Sequence, residues 1–123
     1  MQINESIENY LERILMLYRK KGCARSVDIA AELNVTKASV SHATKLLREN
    51  GYITMDDDNC IFLTDAGREI AERMYERHET LAGFLMRLGV SEKTAFADAC
   101  KIEHDISAET FNAICAHAKA VRR

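Results

Sequence analysis

The sequence predicts a mainly α-helical protein, with an N-terminal winged helix-turn-helix followed by a second, helical domain. Three observations predict the architecture. The 123 residues contain no proline and only five glycines, so helices meet few breakers. Apolar residues recur at three- and four-residue spacing through most of the chain. The period switches once, in "YITMDDDNCIFL" at 52–63, where two short β-branched or aromatic runs flank the polar turn Asp56–Asn59.

Three helices should precede that hairpin. In "SIENYLERILMLYRKKG" the apolar positions Ile7, Leu11, Ile14 and Tyr18 fall on one face, and Gly22 follows the end. "SVDIAAELN" gives a short second helix with Ile29, Ala30 and Leu33 inward. "TKASVSHATKLLRENG" gives a third. Thr36 serves as N-cap, Val40, Ala43 and Leu47 line the buried face, and Gly51 takes the left-handed stop. After the hairpin, Thr64 and Asp65 open a long helix to about Leu88, with the stripe Ile70, Ala71, Met74, Tyr75, Leu81 and Leu85. Ser91 caps a helix over about 92–105. Ser107 caps the last, whose stripe is Phe111, Ile114, Cys115 and Ala118. The expected domains are 1–71 and 72–123.

Net charge is −2, which by itself argues against nucleic acid, but the charge is unevenly placed. Residues 19–50 carry seven Lys/Arg against three acids, so this segment is +4 and the remainder −6. The third helix is the reading helix of a helix-turn-helix. It exposes Lys37, Ala38, Ser39, Ser41, His42 and Lys45 behind Thr36, small or polar residues at the end that enters a groove. Lys45, Arg48 and Arg25 suit phosphate contacts. The bland alternative is a tri-helical packing unit with a solvated polar face. Asp56, Asp57 and Asp58 at the hairpin tip would repel phosphate, so this wing should contact DNA weakly.

"DACKIEHDIS" at 98–107 places Cys100, Glu103 and His104 on one helical face. Alone, each has an ordinary explanation: a small core thiol and a surface Glu-His pair. His78 lies in register with the apolar stripe Met74–Tyr75–Leu81, where a satisfied core histidine is the plain reading. Glu8 and Glu12 sit one turn apart on the first helix, beside Asn9, as a solvated acidic face would. Jointly, thiolate, imidazole and carboxylate donors on three helices suit a divalent first-row transition ion.

Other chemistry finds little support. His78–Glu79 lacks a second histidine four residues after His78, where Ala82 stands, so the zinc-protease motif of a metallo-hydrolase fails. No Gly-rich phosphate loop is present, and no enzyme is expected. A winged-helix regulator answering to thiol oxidation or a small molecule, without metal, is the alternative. The four cysteines, Cys23, Cys60, Cys100 and Cys115, form no C-x-x-C pair, and a reducing compartment would keep them as thiols. No apolar run reaches transmembrane length and the first residues are no signal peptide, so the expectation is a cytoplasmic protein without membrane contact.

The segments "SIENYLERI", "DIAAELNVTKASVSHATKLL", "IFLTDAGREIA", "RHETLAGFL" and "DACKIEHDIS" together resemble the diphtheria-toxin-repressor and manganese-transport-repressor family of metal-activated transcription factors. The resemblance covers nearly the whole chain. It implies a homodimer on a double-stranded operator with two half-sites, repressing metal-uptake genes when the ion is plentiful. It implies a metal site of Glu12, His78, Cys100, Glu103 and His104, with Asn9 at a further ligand position where it can offer a neutral carbonyl. Glu12 and His78 follow the manganese branch and Cys100 the iron branch. A thiolate shifts preference toward softer ions, so Fe(II) is favoured, with Mn(II) close behind. Ala82 and Phe96 stand where the iron branch has ancillary ligands, so no ancillary site is expected. No counterpart of the SH3-like domain of longer members is seen, so metal alone should bias a two-domain dimer.

Overall fold

The computed structural model describes residues 5–121, apart from the side chains at 5, 104 and 119–121. Six helices and one hairpin follow in the order α1 (Glu5–Lys21), α2 (Ser26–Leu33), α3 (Lys37–Glu49), β1 (Ile53–Met55), β2 (Ile61–Leu63), α4 (Asp65–Arg87), α5 (Glu92–Asp105) and α6 (Ala108–Val121). The chain divides into two compact units, Met1–Met74 and Tyr75–Arg123. The division falls inside α4, three residues past the expected one, where the helical periodicity shows no break.

The first unit is a winged helix-turn-helix. Its core is the apolar stripe of α1 (Ile7, Leu11, Ile14, Leu15, Leu17) against Ile29 of α2, Val40 and Leu47 of α3, and Ile53 and Ile61 of the wing. Burying each large aliphatic side chain stabilises by roughly 1.5–3 kcal/mol. Asn34 takes the left-handed conformation that ends α2 (φ 54°). Thr36 then caps α3, its side chain accepting from the Ser39 N–H at 3.1 Å. The Thr36 hydroxyl also donates to Ser39 Oγ at 2.9 Å. Asn50 follows α3 and its side chain donates to the Leu46 carbonyl at 2.8 Å. Gly51 supplies the positive φ of 81° that turns the chain into the wing.

The wing is an antiparallel pair with Ile53 opposite Leu63 and Met55 opposite Ile61. At its tip the Asp56 carboxylate accepts from the Asp58 and Cys60 N–H groups at 3.0 and 2.9 Å. Segment 23–25 lies along the far side of β2: Ala24 and Ile61 form an isolated antiparallel bridge, and Ile61 N–H donates to the Ala24 carbonyl at 2.8 Å. Gly67 in the first turn of α4 faces the Tyr52 carbonyl, where a Cβ would collide with the backbone oxygen.

Three expectations are corrected in detail. Tyr18 does not complete the buried stripe of α1; it is exposed, edge-on to Phe62 at 5.9 Å, on the wall of an open cavity of about 350 Å³. Arginine and glutamate at Arg19 and Glu72 line the same cavity, and a phenol tolerates such a half-wet site better than an aliphatic group does. Ser91 sits at the N-cap of α5 with no side-chain cap bond; its carbonyl accepts from Ala95 N–H at 2.8 Å instead. Cys23 and Cys60 are not separate thiols but a disulfide, with Cα atoms 5.6 Å apart. A sequence separation of 37 hides the pairing from any spacing rule; the strand-like bridge Ala24–Ile61 creates it.

The second unit packs α4, α5 and α6 around Leu81, Ala82, Ala95, Ala99 and Phe111. Alanines at the helix contacts allow close approach. Arg77 stacks its guanidinium over the Phe111 ring at 5.0 Å, and Arg87 donates to the Ala118 carbonyl at 3.1 Å. Ser107 caps α6 by accepting from Thr110 N–H at 3.1 Å.

Candidate metal centre and nucleic-acid interface

Within the second unit, α4 and α5 bring His78 and Glu103 together. The helical register that places Leu81 in the core also places His78 there, at 7% exposure, and Glu103 is buried likewise at 8%. His78 Nε2 meets Glu103 Oε2. The other carboxylate oxygen, Oε1, has no hydrogen-bond donor among the described residues. A buried carboxylate is costly unless a cation or donors answer it. The pair, with one oxygen unanswered, therefore fits a bound divalent cation.

The rest of the expected set stands as follows. Cys100 is a free thiol, half-buried, three residues before Glu103 on α5. His104 follows Glu103 on the same helix, its side chain outside the described residues. In the first unit, Glu12 is buried at 4% exposure on α1, and Asn9 is half-buried one turn earlier. A carboxylate buried in α1 contradicts the solvated acidic face that spacing alone suggested. Among the described residues no group of three His, Cys, Asp or Glu side chains converges, so His78–Glu103 is the part of the set that the structure assembles.

The face of α3 opposite Val40, Ala43 and Leu47 is open. Lys37, Ala38, Ser39, Ser41, His42, Lys45 and Arg48 are all exposed, as is Thr36. Other cations of the first unit are engaged: Arg13 with Glu32 at 3.2 Å, Lys21 with Asp28 at 3.3 Å, and Arg19 with Glu72 at 3.6 Å. Among the described residues Lys37, Lys45 and Arg48 have no carboxylate partner. Arg25 is exposed, but its guanidinium donates to the Asp58 carbonyl at the wing tip at 2.8 Å. Its role in the fold is to hold the wing, which sequence reading did not anticipate. Cys23 and Cys60 were missed as a pair for the reason given above.

A winged helix-turn-helix joined to a helical unit with a buried imidazole–carboxylate pair defines a metal-responsive DNA-binding protein. The chain matches two family descriptions over almost its whole length: "Iron dependent repressor, N-terminal DNA binding domain" at residues 2–60, and "Iron dependent repressor, metal binding and dimerisation domain" at residues 64–123. It belongs to the iron-dependent repressor family, whose members are metal-dependent regulators of transcription rather than enzymes. Transcriptional regulator MntR of Escherichia coli O6:H1 is 41% identical over 109 residues, spanning 89% of this chain and 70% of the relative. The crystal structure of T. acidophilum IdeR superposes with a TM-score of 0.77 at 28% identity, covering 95% of this chain and 55% of that one. A manganese-dependent transcriptional repressor solved in complex with manganese gives a TM-score of 0.80 at 25% identity, covering 92% and 52%. The chain thus spans about half the length of these two solved chains. No described helix is long and apolar enough to cross a membrane.

Proposed function

We propose that this chain is a cytoplasmic repressor of metal-uptake genes that binds an operator of two half-sites as a homodimer when charged with Fe(II) or Mn(II). The observation that carries the reading is the buried His78–Glu103 pair, because a carboxylate shut away from water calls for a cation. His78, Cys100, Glu103 and His104 hold the ion, with Glu12 as a further ligand and Asn9 offering at most a carbonyl. A bound ion would neutralise the buried Glu103 carboxylate. This chain's own residues do the remainder: α3 reads the groove through Ser39, Ser41 and His42, while Lys37, Lys45 and Arg48 meet phosphates. By linkage, metal raises DNA affinity only as far as it prefers the DNA-competent shape, and DNA raises metal affinity by the same factor.

Two considerations pull the choice of ion apart. The thiol of Cys100 favours Fe(II) over Mn(II). The similarity to manganese-responsive regulators favours Mn(II). Anaerobic DNA binding against buffered Fe(II), Mn(II), Co(II) and Zn(II), with a chelator control, tests the reading. Metal-stimulated binding is the expected result, and equal affinity with and without chelator would overturn it.

A further inference from the structure

The first unit holds a feature that metal control does not use. Cys23, in the α1–α2 connection, is bonded to Cys60, which follows the acidic wing tip. The backbone around the two sulfurs is tied independently of the bond. Ala24 and Ile61, each the next residue, form the buried β-bridge at 0% exposure. Two residues on, Arg25 donates to the Asp58 carbonyl. With these ties in place the two Cα atoms lie 5.6 Å apart, within the ordinary range for a disulfide. The ties do not run through the sulfurs, so they would hold the register when the bond opens.

The two cysteines also differ in access. Cys60 is buried at 4% exposure, whereas Cys23 is half-exposed, so an oxidant reaches Cys23 first. The remaining cysteines, Cys100 and Cys115, lie in the other unit and form no disulfide.

We propose that Cys23 and Cys60 form a reversible dithiol–disulfide site, oxidised by hydrogen peroxide, that stiffens the wing and weakens the hold on DNA. In the first step the Cys23 thiolate gives an electron pair to a peroxide oxygen. The O–O bond breaks, leaving a sulfenic acid on Cys23 and a hydroxide that takes up a proton. In the second step the Cys60 sulfur attacks the Cys23 sulfur. The S–O bond breaks, and hydroxide leaves with the Cys60 proton as water. Two thiols are oxidised and one peroxide is reduced to two waters. A dithiol reductant reverses the change by becoming a disulfide itself. The Asp56 carboxylate is already held by the Asp58 and Cys60 N–H groups; the bond adds a covalent tie at the base of the tip, so Asp57 and Asp58 swing back from phosphate less freely. This last step rests on the DNA-binding reading above; the bond chemistry does not.

The test uses the reduced full chain, treated with hydrogen peroxide, then cleared of oxidant and alkylated. Peptide mapping should find Cys23 linked to Cys60 while Cys100 and Cys115 are alkylated, and dithiothreitol should release the link in the native protein. Amide exchange across 53–61 should slow in the oxidised form. With Mn(II) present, a random-sequence DNA duplex should bind the oxidised form on the order of threefold more weakly at low salt, the gap closing as salt screens the carboxylates. Cys23→Ser, at the exposed partner, should show none of these changes and serves where a Cys60 variant fails to fold. The proposal is overturned by a link through Cys100 or Cys115 instead, by a bond that dithiothreitol cannot open, or by unchanged exchange in the wing. Equal duplex affinity of the two forms overturns the effect on DNA. If neither form binds the duplex, the DNA-binding reading fails, while mapping and exchange still decide the thiol site.

Discussion

His78 on α4 and Glu103 on α5 meet through Nε2 and Oε2 inside the second unit, both nearly out of water. On the proposed reading, metal stabilises the native chain by binding there. Mn(II) at about a hundred times its dissociation constant should add about 2.7 kcal/mol to unfolding stability. Glu103→Gln and His78→Ala should each lose most of that increment, measured by urea unfolding with and without Mn(II). A variant that keeps the full increment removes its residue from the ligand set.

Cys100 supplies the soft donor of the proposed set. In Cys100→Asp the donors are all oxygen and nitrogen, so activation by Mn(II) should rise relative to Fe(II) or Co(II). The parent's Co(II) complex should absorb in the near ultraviolet through sulfur-to-metal charge transfer, and the variant's should not. Identical Co(II) spectra would leave Cys100 as a small half-buried residue beside the centre.

Lys45 is exposed on α3 and has no carboxylate partner among the described residues. Lys45→Ala should weaken binding to all sequences alike and reduce the slope of log affinity against log salt by about 1, as one phosphate contact is lost. A titration over several salt concentrations reads this directly. An unchanged slope with altered base preference would mean that Lys45 faces the bases.

Gly67 lies against the Tyr52 carbonyl where the wing passes into α4. Gly67→Ala forces the helix away from that carbonyl and should destabilise the chain by about 1–3 kcal/mol, the usual cost of overpacking, despite alanine's better helix propensity. Urea unfolding of the metal-free protein measures it. Gly51→Ala should also destabilise, but through its positive φ and with no collision, since nothing lies within 4 Å.

Much of the architecture was legible because it rests on local chemistry. The period-3.6 stripes, the Thr36 cap and the single switch to a hairpin each follow from neighbouring residues, and the elements appear where those rules place them. The outward face of α3 followed from the inward one. The misreadings involve residues far apart in sequence. Tyr18 fits its stripe but meets Phe62 across a cavity rather than a closed core. Arg25 looks like a free cation until the wing tip returns beside it. Cys23 and Cys60 pair through a β-bridge that no spacing encodes. The burial of Glu12 was not legible from its spacing, since an acidic position on an amphipathic helix ordinarily faces water.

On the proposed DNA-binding reading, the hydroxyl pair at the start of α3 takes Thr36 out of base reading. The Thr36 hydroxyl hydrogen is given to Ser39 Oγ and its oxygen takes the Ser39 N–H, so Thr36 has no donor left for a base. Ser39 receives that hydrogen on one lone pair and keeps its own hydrogen and a second lone pair. A Ser39 held this way can give to O6, N7 or O4 and can accept from the cytosine amino group, so it should discriminate little among the four bases. Selection from a randomised duplex library should show no strong preference at the position Ser39 meets, and Thr36→Val, which removes a hydroxyl with nothing to give a base, should leave the selected sequences unchanged.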